Sequence, residues 1–428
     1  MTAAAVLSSL LFLAALAIIF AEKMHRSITA VAAAALMIAL GRLLGFYSEQ
    51  AAIDSIDFPT LGLLLGMMIM VAMLEPTGFF QYLAVRAAQA SGARPVRLFI
   101  LLGAITTVVS MFLDNVTTVV LIAPVTILVC EILGISALPF LLAEALLSNT
   151  GGVATLVGDP PNVLIGSAAN LSFGDFLTHS LPIVAVAWAG ALLLLLSLFR
   201  RELARRPKNA KALMRMTPAD ALNEPENARR LLIVLGAAVL FFLLDPLLHL
   251  SPYFVAVAAA GAAMAWIRPD IDQMLKRIEW SVLIFFAALF IMVGGLEAAG
   301  VWDLVVNLAQ GASNIPPVYF GLALLWTVAI LSAIVDNIPV TIALIPIIQG
   351  LGEGGMNTGP LWWALAFGAG FGGNGTIIGS TANIVVASVS ERTRHPITAR
   401  LWLRRGLPVM LLTCTIASIL FAAFYAWF

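Results

Sequence analysis

Long apolar runs recur from one end of the chain to the other, and they constrain its fold more than any other feature. Hydropathy places them near residues 4–20, 28–46, 58–80, 98–133, 137–170, 179–199, 231–248, 253–267, 280–298, 318–350, 360–391 and 407–427. Most reach roughly 17 residues or more, which is enough for a helix to cross a bilayer. Only 11% of the 428 residues are charged, against about 25% in soluble domains. The sequence therefore predicts an all-α polytopic membrane protein, because helices satisfy their own backbone polar groups inside lipid.

Composition argues against several other classes of protein. The net charge of zero gives no indication of a nucleic-acid partner, and none is expected. Cys130 and Cys414 are too few and too far apart for a disulfide framework or a cysteine metal site, so neither a metal nor a cofactor is expected. The sequence shows no nucleophile–base set and no Gly-rich nucleotide loop, so we do not expect the chain to be an enzyme. Residues 1–23 lack a basic leading region and are interpreted as a retained first span.

Three landmarks occur twice in the chain at almost the same spacing. LEPTG at 74–78 matches LEAAG at 296–300, and the dipeptide Asp-Asn occurs at 114–115 and 336–337. The pattern GGxxTxxGxxxN begins at Gly151 and again at Gly372. The three offsets are 222, 222 and 221 residues. Such agreement indicates an internal duplication, with halves at 1–215 and 216–428.

The segments 98–133 and 318–350 each carry the Asp-Asn dipeptide in the middle of a long apolar run. Each is either two complete spans or a re-entrant hairpin whose tip stops at mid-membrane depth. Both alternatives return the chain to the side from which it started. Each half then has five other crossings, and because five is odd the second half is inverted relative to the first. We predict about ten spans plus two hairpins, with both termini outside.

The distribution of basic residues supports this topology independently. Cytoplasmic loops of membrane proteins are enriched in Lys and Arg. When loop 200–230 is placed in the cytoplasm, every Lys and Arg except Arg42 falls on the cytoplasmic side. The predicted cytoplasmic loops are 21–27, 81–97, 200–230, 268–279 and 391–406. The predicted outer loops, which carry acidic but no basic residues, are 47–57, 171–178, 299–317 and 351–359.

Two further apolar segments, 137–170 and 360–391, carry several glycines in the middle, and the first also carries a Pro-Pro pair. Glycine weakens a helix and proline removes a backbone donor, so we predict that both helices are interrupted. Inverted repeats with interrupted helices are typical of secondary transporters, whose sites lie at the repeat interface near the membrane midplane. Freed backbone groups at that depth line a cavity or are buried in protein.

The polar residues at the two tips and two breaks form a short set of candidate ligands. They are Asp114, Asn115, Thr117, Thr118, Asn149, Thr150, Thr155, Asp159, Asn162, Asp336, Asn337, Thr341, Asn374, Thr376, Ser380, Thr381 and Asn383. A carboxylate inside a bilayer costs at least about 2.5–3.5 kcal/mol, so three in one site suggest function. The alternatives are that Asp114 and Asp336 only cap helices, and that Asn162 and Asn383 only support turns.

The hairpins and breaks contain no Lys, Arg or His. We therefore expect no basic side chain at the site, which favours a cation or a neutral polyhydroxyl solute over a multiply charged anion. Protonation of Asp114, Asp159 and Asp336 would couple transport to the proton gradient. Glu144, whose equivalent in the second half is Leu365, is either a step in a proton relay or a polar residue of the bundle interior.

FLDNVTTVVLIAPVTI at 112–127 and NTGGVATLVGDPPNVLIG at 149–166 resemble the ArsB/P-protein branch of the ion transporter superfamily. That branch contains arsenite efflux permeases and the melanosomal P protein, and its relatives include sodium–proton antiporters and citrate or dicarboxylate carriers. The resemblance implies elevator-type movement of a transport domain, built from hairpins and interrupted helices, against a scaffold of the spans that precede each hairpin. It also implies a homodimer. The binding residues that it implies are Asp114, Asn115, Asp159, Asn162, Asp336, Asn337, Ser380, Thr381 and Asn383.

The chain departs from the dicarboxylate carriers at both tips. Those carriers have Ser-Asn-Thr, whereas this chain has Asp-Asn-Val and Asp-Asn-Ile. The departure argues against a carboxylate substrate. Arsenite is mostly a neutral trihydroxide near pH 7, which suits hydroxyl-binding Asp and Asn side chains.

The leading hypothesis is proton-coupled efflux of arsenite or antimonite across a bacterial inner membrane. The alternatives are a sodium–proton antiporter, which would use Na⁺ and the same aspartates, a carboxylate or other anion carrier, and a channel or membrane sensor. The duplicated breaks favour alternating access over a channel or sensor. Loop 200–230 has no Walker sequence, so any use of ATP would need a separate cytoplasmic ATPase subunit.

Overall fold

The computed structural model describes residues 2–21, 24–205, 207, 209–301, 316–393 and 395–428. Across these ranges the regular structure is helical and contains no β-strand. The principal helices are α1 Ala3–Phe20, α2 Arg26–Leu44, α3 Phe58–Leu74, α4 Phe79–Ala90, α5 Pro95–Ser110, α6 Asn115–Leu133, α7 Leu138–Gly152, α8 Pro160–Ala169, α9 Leu181–Leu198, α10 Pro225–Leu243, α11 Pro252–Ile267, α12 Trp280–Ala298, α13 Pro317–Ile334, α14 Asn337–Glu353, α15 Gly359–Gly372, α16 Thr381–Ser390 and α17 Ala399–Ala423.

Short helices join several of these elements. They are Glu49–Asp54, Glu75–Thr77, Phe173–Asp175, Phe176–Ser180, Arg200–Leu203, Ala210–Met214, Pro218–Ala221, Asp245–Leu248, Ile271–Leu275 and Tyr425–Trp427. The predicted cytoplasmic loop 81–97 is largely the amphipathic helix α4 and the start of α5 rather than irregular chain. Most of the predicted outer loop 299–317 lies outside the described residues.

Each hairpin is two antiparallel helices with a sharp tip, formed by α5 with α6 and by α13 with α14. The first tip spans 111–114 and the second spans 335–336. Asp114 and Asp336 are the N-cap residues of the second arms, because a short acidic side chain accepts the backbone donors of a first helical turn. Gly134 ends α6 in the left-handed conformation, with φ of 66°, that a glycine C-cap adopts readily.

Both predicted helix interruptions are present, between α7 and α8 and between α15 and α16. The glycines of the duplicated pattern allow the two ends of each break to touch. A Cβ on Gly158 would lie 2.6 Å from the Gly152 carbonyl oxygen and 2.8 Å from that of Ser110. A Cβ on Gly379 would lie 2.7 Å from the Gly373 carbonyl oxygen and 2.8 Å from that of Ser332. Side chains do not fit at either position, so the pattern is explained by close backbone approach.

The two halves pack against each other reciprocally. Helix α3 of the first half packs on α11 of the second, and their equivalents α12 and α2 form the matching pair. Likewise α6 packs on α16 while its equivalent α14 packs on α8. This exchange is the packing of an inverted repeat, and it brings the second arm of each hairpin to the break of the other half.

Ten membrane crossings and two hairpins account for all the principal helices except the amphipathic α4, with α7–α8 and α15–α16 counted as one crossing each. Seven helical segments of the described chain are long and apolar enough to cross a membrane by themselves, including the hairpin arms α6 and α13. Large apolar side chains face outward along the bundle, such as Leu10 (57% exposed) on α1 and Leu193 (67% exposed) on α9. A surface of this kind is stable in contact with lipid rather than water. The chain is an integral membrane protein.

Candidate functional site

Four helix N-termini converge on one small cavity. The residues immediately before α6, α8, α14 and α16 are Asp114, Asp159, Asp336 and Ser380, and all four line it. The space open to a water-sized solute measures about 60 Å³. Helix N-termini carry positive partial charge and unpaired N–H groups, so they stabilise nearby carboxylates or an anion. At α8 the first two residues, Pro160 and Pro161, supply no N–H group. Packing of α6 against α16 and of α8 against α14 holds the four ends together.

At the first tip, Asp114 is bonded within its own helical turn. Its Oδ1 accepts from the Thr117 backbone N–H at 2.9 Å, and its Oδ2 accepts from the Thr117 hydroxyl at 2.6 Å. The next residue, Asn115, lines the cavity and donates from Nδ2 to Asn149 Oδ1 at 2.9 Å. Thr117 therefore supports the tip, while Asp114 both caps α6 and faces the cavity.

At the second tip, Asp336 has partners from two other parts of the chain. Its Oδ2 accepts from Arg26 Nη1 at 2.9 Å and from the Thr381 hydroxyl at 2.9 Å. The neighbouring Asn337 donates from Nδ2 to Asp159 Oδ2 at 3.0 Å. The second tip thus joins α2, α16 and the first break into one polar cluster.

Asn162 and Asn383 perform the same structural task in the two breaks. Asn162 Nδ2 donates to the carbonyl oxygens of Gly152, at 3.1 Å, and Thr155, at 2.8 Å. Asn383 Nδ2 donates to the carbonyl oxygens of Gly373, at 2.7 Å, and Thr376, at 2.9 Å. These amides satisfy carbonyls that the interruption of the helix has freed. The turn-supporting interpretation of both asparagines therefore has direct geometric support.

The threonines of the two breaks also match one another. The Thr155 hydroxyl donates to the Met111 carbonyl oxygen, and the Thr376 hydroxyl donates to that of Ala333. Each bond ties a break to the hairpin of its own half, at the first tip through Met111 and at the last turn of α13 through Ala333. The Thr118 hydroxyl is buried on α6 and has no hydrogen-bond partner among the described residues.

A buried amide network centred on Asn149 connects the two breaks. Asn149 Nδ2 donates to Asn374 Oδ1 at 3.0 Å and to Asn383 Oδ1 at 2.9 Å. Asn149 Oδ1 accepts from Ser380 Oγ at 3.1 Å, in addition to its bond from the first tip. Asn374 in turn donates to Thr150 Oγ1 at 3.1 Å. Because this network is buried and well paired, it fixes how the two halves meet behind the cavity.

Two charged residues at the cavity come from outside the hairpins and breaks. Arg26 begins α2 and Glu279 precedes α12, and both line the cavity. The expectation that no basic side chain stands at the site is therefore wrong. Both residues lie in predicted loops, where they look like ordinary surface charges, and nothing in the sequence pattern shows that α2 and α12 direct them inward. Burial raises the pKa of the Glu279 carboxyl to about 7, with Asp114 adding to the rise and Arg26 opposing it.

Glu144 lies away from the cavity lining, within α7. Its side chain is fully buried, and Oε1 accepts a hydrogen bond from the Thr126 hydroxyl of α6. Its Oε2 is also buried and has no partner among the described residues. The geometry leaves one carboxyl oxygen free to carry a proton.

The structure thus separates the candidate residues into two groups. The residues that line the cavity together are Asp114, Asn115, Asp159, Asp336, Asn337, Ser380 and Thr381. The residues that lie behind the cavity and support it by hydrogen bonds are Thr117, Asn162, Asn374, Thr376 and Asn383. Thr118 is buried on α6 without a hydrogen-bond partner among the described residues, and Glu144 is further along α7. Asn149 was visible as a polar residue of the break, but its central position depends on contacts with the other half.

Duplicated hairpins and interrupted helices that meet at a polar, mid-bundle cavity define the class of secondary transporters. Comparison with known proteins specifies the family. Residues 15–368 match the family model described as a citrate transporter, CitMHS, and the chain belongs to this family.

Related proteins cover almost the whole chain. A 46 kDa membrane protein of Mycobacterium leprae is 38% identical over 99% of this chain and 98% of its own length. An uncharacterized transporter of Mycobacterium tuberculosis is 38% identical over 97% of this chain and 96% of its own length. The human P protein is 31% identical over 94% of this chain but only 57% of its own length. The resemblance to the P-protein branch of the ion transporter superfamily is confirmed.

A solved structure shares the fold. The YdaH transporter of Alcanivorax borkumensis superposes with a TM-score of 0.64 over 94% of this chain and 99% of its own, at 17% identity. Family, relatives and fold identify a transporter rather than an enzyme.

Proposed function

We propose that the chain is a proton-coupled secondary transporter that exports arsenite or antimonite in exchange for protons. The observation that carries the proposal is the charge of the cavity. Asp114, Asp159 and Asp336 line it with Glu279, and Arg26 is the one guanidinium among its lining residues. Carboxylates gathered in a low-dielectric site are stable only when protons or cations neutralise them.

The size of the cavity supports a small inorganic solute. About 60 Å³ accommodates a few water-sized molecules, whereas sites for drug-sized ligands measure about 300–1,000 Å³. The family model is described as a citrate transporter. In this cavity, however, the available volume is small for citrate, and the excess of carboxylates would repel a trianion. A neutral trihydroxide in this cavity would donate hydrogen bonds from its hydroxyl groups to carboxylate and amide oxygens.

Proton coupling assigns roles to the titratable residues. Asp114, Asp159 and Asp336 take up protons at the cavity as the solute leaves, and Glu144 carries a proton on its unpartnered oxygen along α7. The hairpins and interrupted helices move together as a transport domain against a scaffold of α1–α3 and α10–α12. The reciprocal packing of the two halves supports such alternating access, because it allows each half to adopt the surroundings of the other.

Sodium is the second candidate solute. The cavity presents carboxylate, hydroxyl and amide oxygens from Asp114, Asp336, Ser380, Thr381 and Asn337, and hard cations prefer oxygen ligands. A sodium–proton antiporter would use the same aspartates and the same movement.

Everted membrane vesicles containing the protein distinguish these solutes. The vesicles are energised until their interior is acidic, and a pH-sensitive dye reports the release of protons when arsenite, sodium or citrate is added. We expect release with arsenite, and none from vesicles containing Asp336→Asn. Release with sodium but not arsenite would establish the antiporter alternative, and release with citrate alone would contradict the inference from cavity size.

The orientation in a bacterial inner membrane follows the distribution of basic loops. We expect Lys276→Cys to react with a membrane-impermeant thiol reagent only from the cytoplasmic side, and Glu353→Cys only from the outside. The native cysteines, Cys130 and Cys414, are buried, so background labelling is expected to be low. Labelling of both positions from one side would overturn the inverted topology.

A further inference from the structure

Arg26 and Asp336 form an ion pair that links two separate parts of the bundle. The Arg26 side chain is 24% exposed and the Asp336 side chain is 22% exposed, with 2.9 Å between Nη1 and Oδ2. The guanidinium also lies 5.5 Å from the ring centroid of Phe285 on α12. Arg26 is thus held by α2 and α12, which pack on each other, whereas Asp336 is held at a hairpin tip by Thr381 of α16.

The equivalent position in the other half carries no charge. At the spacing of 222 residues, Arg26 corresponds to Leu248. In the proposed alternating access the two halves exchange surroundings, so Asp336 would lose its guanidinium and Asp114 would gain none in return. The ion pair would then belong to one conformation of the transporter only.

The charged groups around Asp336 show that Arg26 is the cationic side chain that compensates its carboxylate in this structure. The charged groups that face this cavity are Arg26 from α2, Glu279 before α12, Asp114 at the other tip and Asp159 before α8. Arginine remains protonated at every physiological pH. Whenever its guanidinium contacts Asp336, it compensates the carboxylate charge that a proton or a metal cation would otherwise neutralise.

We propose that Arg26 is a tethered competitor for the cation or proton taken up at Asp336, so that affinity for the coupling ion is low in this conformation and high in the opposite one. This role rests on the proposed uptake of the coupling ion at Asp336. It gives the transporter a means of releasing the ion on one side, because the protein supplies a replacement charge at the moment of release. Arg26 is a positioning residue that acts through Asp336, and contact with the solute is not required.

Transport kinetics in reconstituted vesicles test the competition. Rates are measured against pH and against Na⁺ for the wild type, Arg26→Gln and Arg26→Lys, with ions added on the face that Arg26 lines. In Arg26→Gln we expect half-maximal rate at about tenfold lower coupling-ion concentration, together with a lower maximal rate because release is slower. Arg26→Lys should restore the wild-type midpoint. A fall in maximal rate without a change of midpoint would reduce Arg26 to a structural role and overturn the proposal.

Arg42→Gln is a matched control at the other end of α2. Arg42 also forms an ion pair, with Glu49 at 2.6 Å, but both side chains are 67% exposed and distant from the cavity lining. We expect this variant to keep the wild-type midpoint and maximal rate. A shift equal to that of Arg26→Gln would show a general effect of charge on α2 and would contradict competition at Asp336.

A cross-link provides a readout that does not depend on the solute. The Thr60 and Ser167 hydroxyls both donate to Asp57 Oδ2, which places α3 beside α8 in this conformation. In Thr60→Cys/Ser167→Cys protein, adding Arg26→Gln should lower the fraction of disulfide at least twofold, and adding Arg42→Gln should not. If neither arsenite nor sodium is transported by the wild type, the proposed function fails. The cross-link alone then tests whether Arg26 stabilises this conformation. An unchanged disulfide fraction would then overturn the role of Arg26.

Discussion

The two hairpin tips have the same Asp-Asn dipeptide but different partners. Asp114 accepts hydrogen bonds from the backbone and hydroxyl of Thr117, within its own helical turn. Asp336 accepts from Arg26 of α2 and Thr381 of α16, so its charge is compensated by distant parts of the chain. Because the dipeptides are alike, the difference arises from the helices around them.

The N-caps of α3 and α12 show the same difference. Asp57 and Glu279 are equivalent at the 222-residue spacing, yet Glu279 lines the cavity while Asp57 accepts from Ser167 near the C-terminal end of α8. The two tips and the two N-caps show that the duplicated framework is asymmetric in this structure. Under the proposed alternating access, a second arrangement would exchange the surroundings of the halves and would bring Asp57 to the cavity and Glu279 to Ser388.

The strongest test of the comparison replaces each tip aspartate in turn. Asp336→Asn and Asp114→Asn should each reduce coupled transport to the background of empty vesicles, because each removes a cavity carboxylate to which the proposed function assigns proton uptake. Only Asp336→Asn should also lower the unfolding temperature in detergent, since it leaves Arg26 without its partner, whereas Asn is as good an N-cap as Asp at 114. Equal stability losses in both variants, measured by thermal denaturation, would contradict the asymmetry of the tips.

A second test concerns the two interrupted helices. Asn149 of α7 has Gly370 of α15 as its equivalent, so the amide network depends on one half only. Asn149→Leu should reduce the free energy of unfolding by about 2–4 kcal/mol, because several buried amide groups lose a partner. Asn227→Leu on α10, which removes a surface hydrogen bond to Glu224, should change it by less than about 0.5 kcal/mol. Similar losses of unfolding free energy in the two variants would show that the amide network contributes little to stability.

The pH dependence of stability tests the buried position of Glu279. Because the pKa of Glu279 is raised to about 7 in the folded protein, mainly by burial, the fold favours the protonated carboxyl. That contribution to stability is complete below the unfolded pKa and is lost as the pH rises towards 7. Unfolding temperatures recorded between pH 4.5 and 7.5 should therefore fall less steeply in Glu279→Gln than in the wild type. A slope in Glu279→Gln as steep as that of the wild type would contradict the effect of burial on Glu279.

The smallest expected effect is that of Glu144, which lies away from the cavity. Glu144→Gln keeps the acceptor for Thr126 but removes the titrating proton, so we expect a threefold to tenfold slower proton-coupled rate with unchanged unfolding temperature. Glu144→Leu, which copies Leu365 of the second half, should lose both rate and some stability. An unchanged rate for the Gln variant across the pH range would remove Glu144 from the proton path.

Much of this architecture could be predicted from the sequence because its causes are local and are repeated. Apolar run length predicts the crossings, and the Asp-Asn dipeptides predict where the hairpins turn. The glycines of the duplicated pattern predict where the helices open. Gly158 and Gly379 permit close backbone contacts that a side chain at either position would prevent. The cavity-lining residues at the tips and breaks, such as Asp159 and Ser380, follow from the same landmarks.

The remaining features depend on contacts between distant parts of the chain. Arg26 and Asp336 are 310 residues apart, and Asn149 and Asn374 are 225 residues apart. Periodicity and composition contain no information on which helix end faces which tip. From the sequence Arg26 is therefore one more charge of a predicted cytoplasmic loop, although in the structure it forms an ion pair with Asp336 at the second tip.

A pair of cross-links tests the exchange of surroundings most directly. Thr60→Cys/Ser167→Cys joins two residues that are in contact through Asp57, and Val282→Cys/Ser388→Cys places cysteines at the equivalent positions of the other half. In membranes containing the four-cysteine protein, each disulfide should form in a fraction of the molecules, and locking one should prevent the other. Formation of the first disulfide alone under every condition, or of both in one molecule, would contradict alternation between two exchanged arrangements.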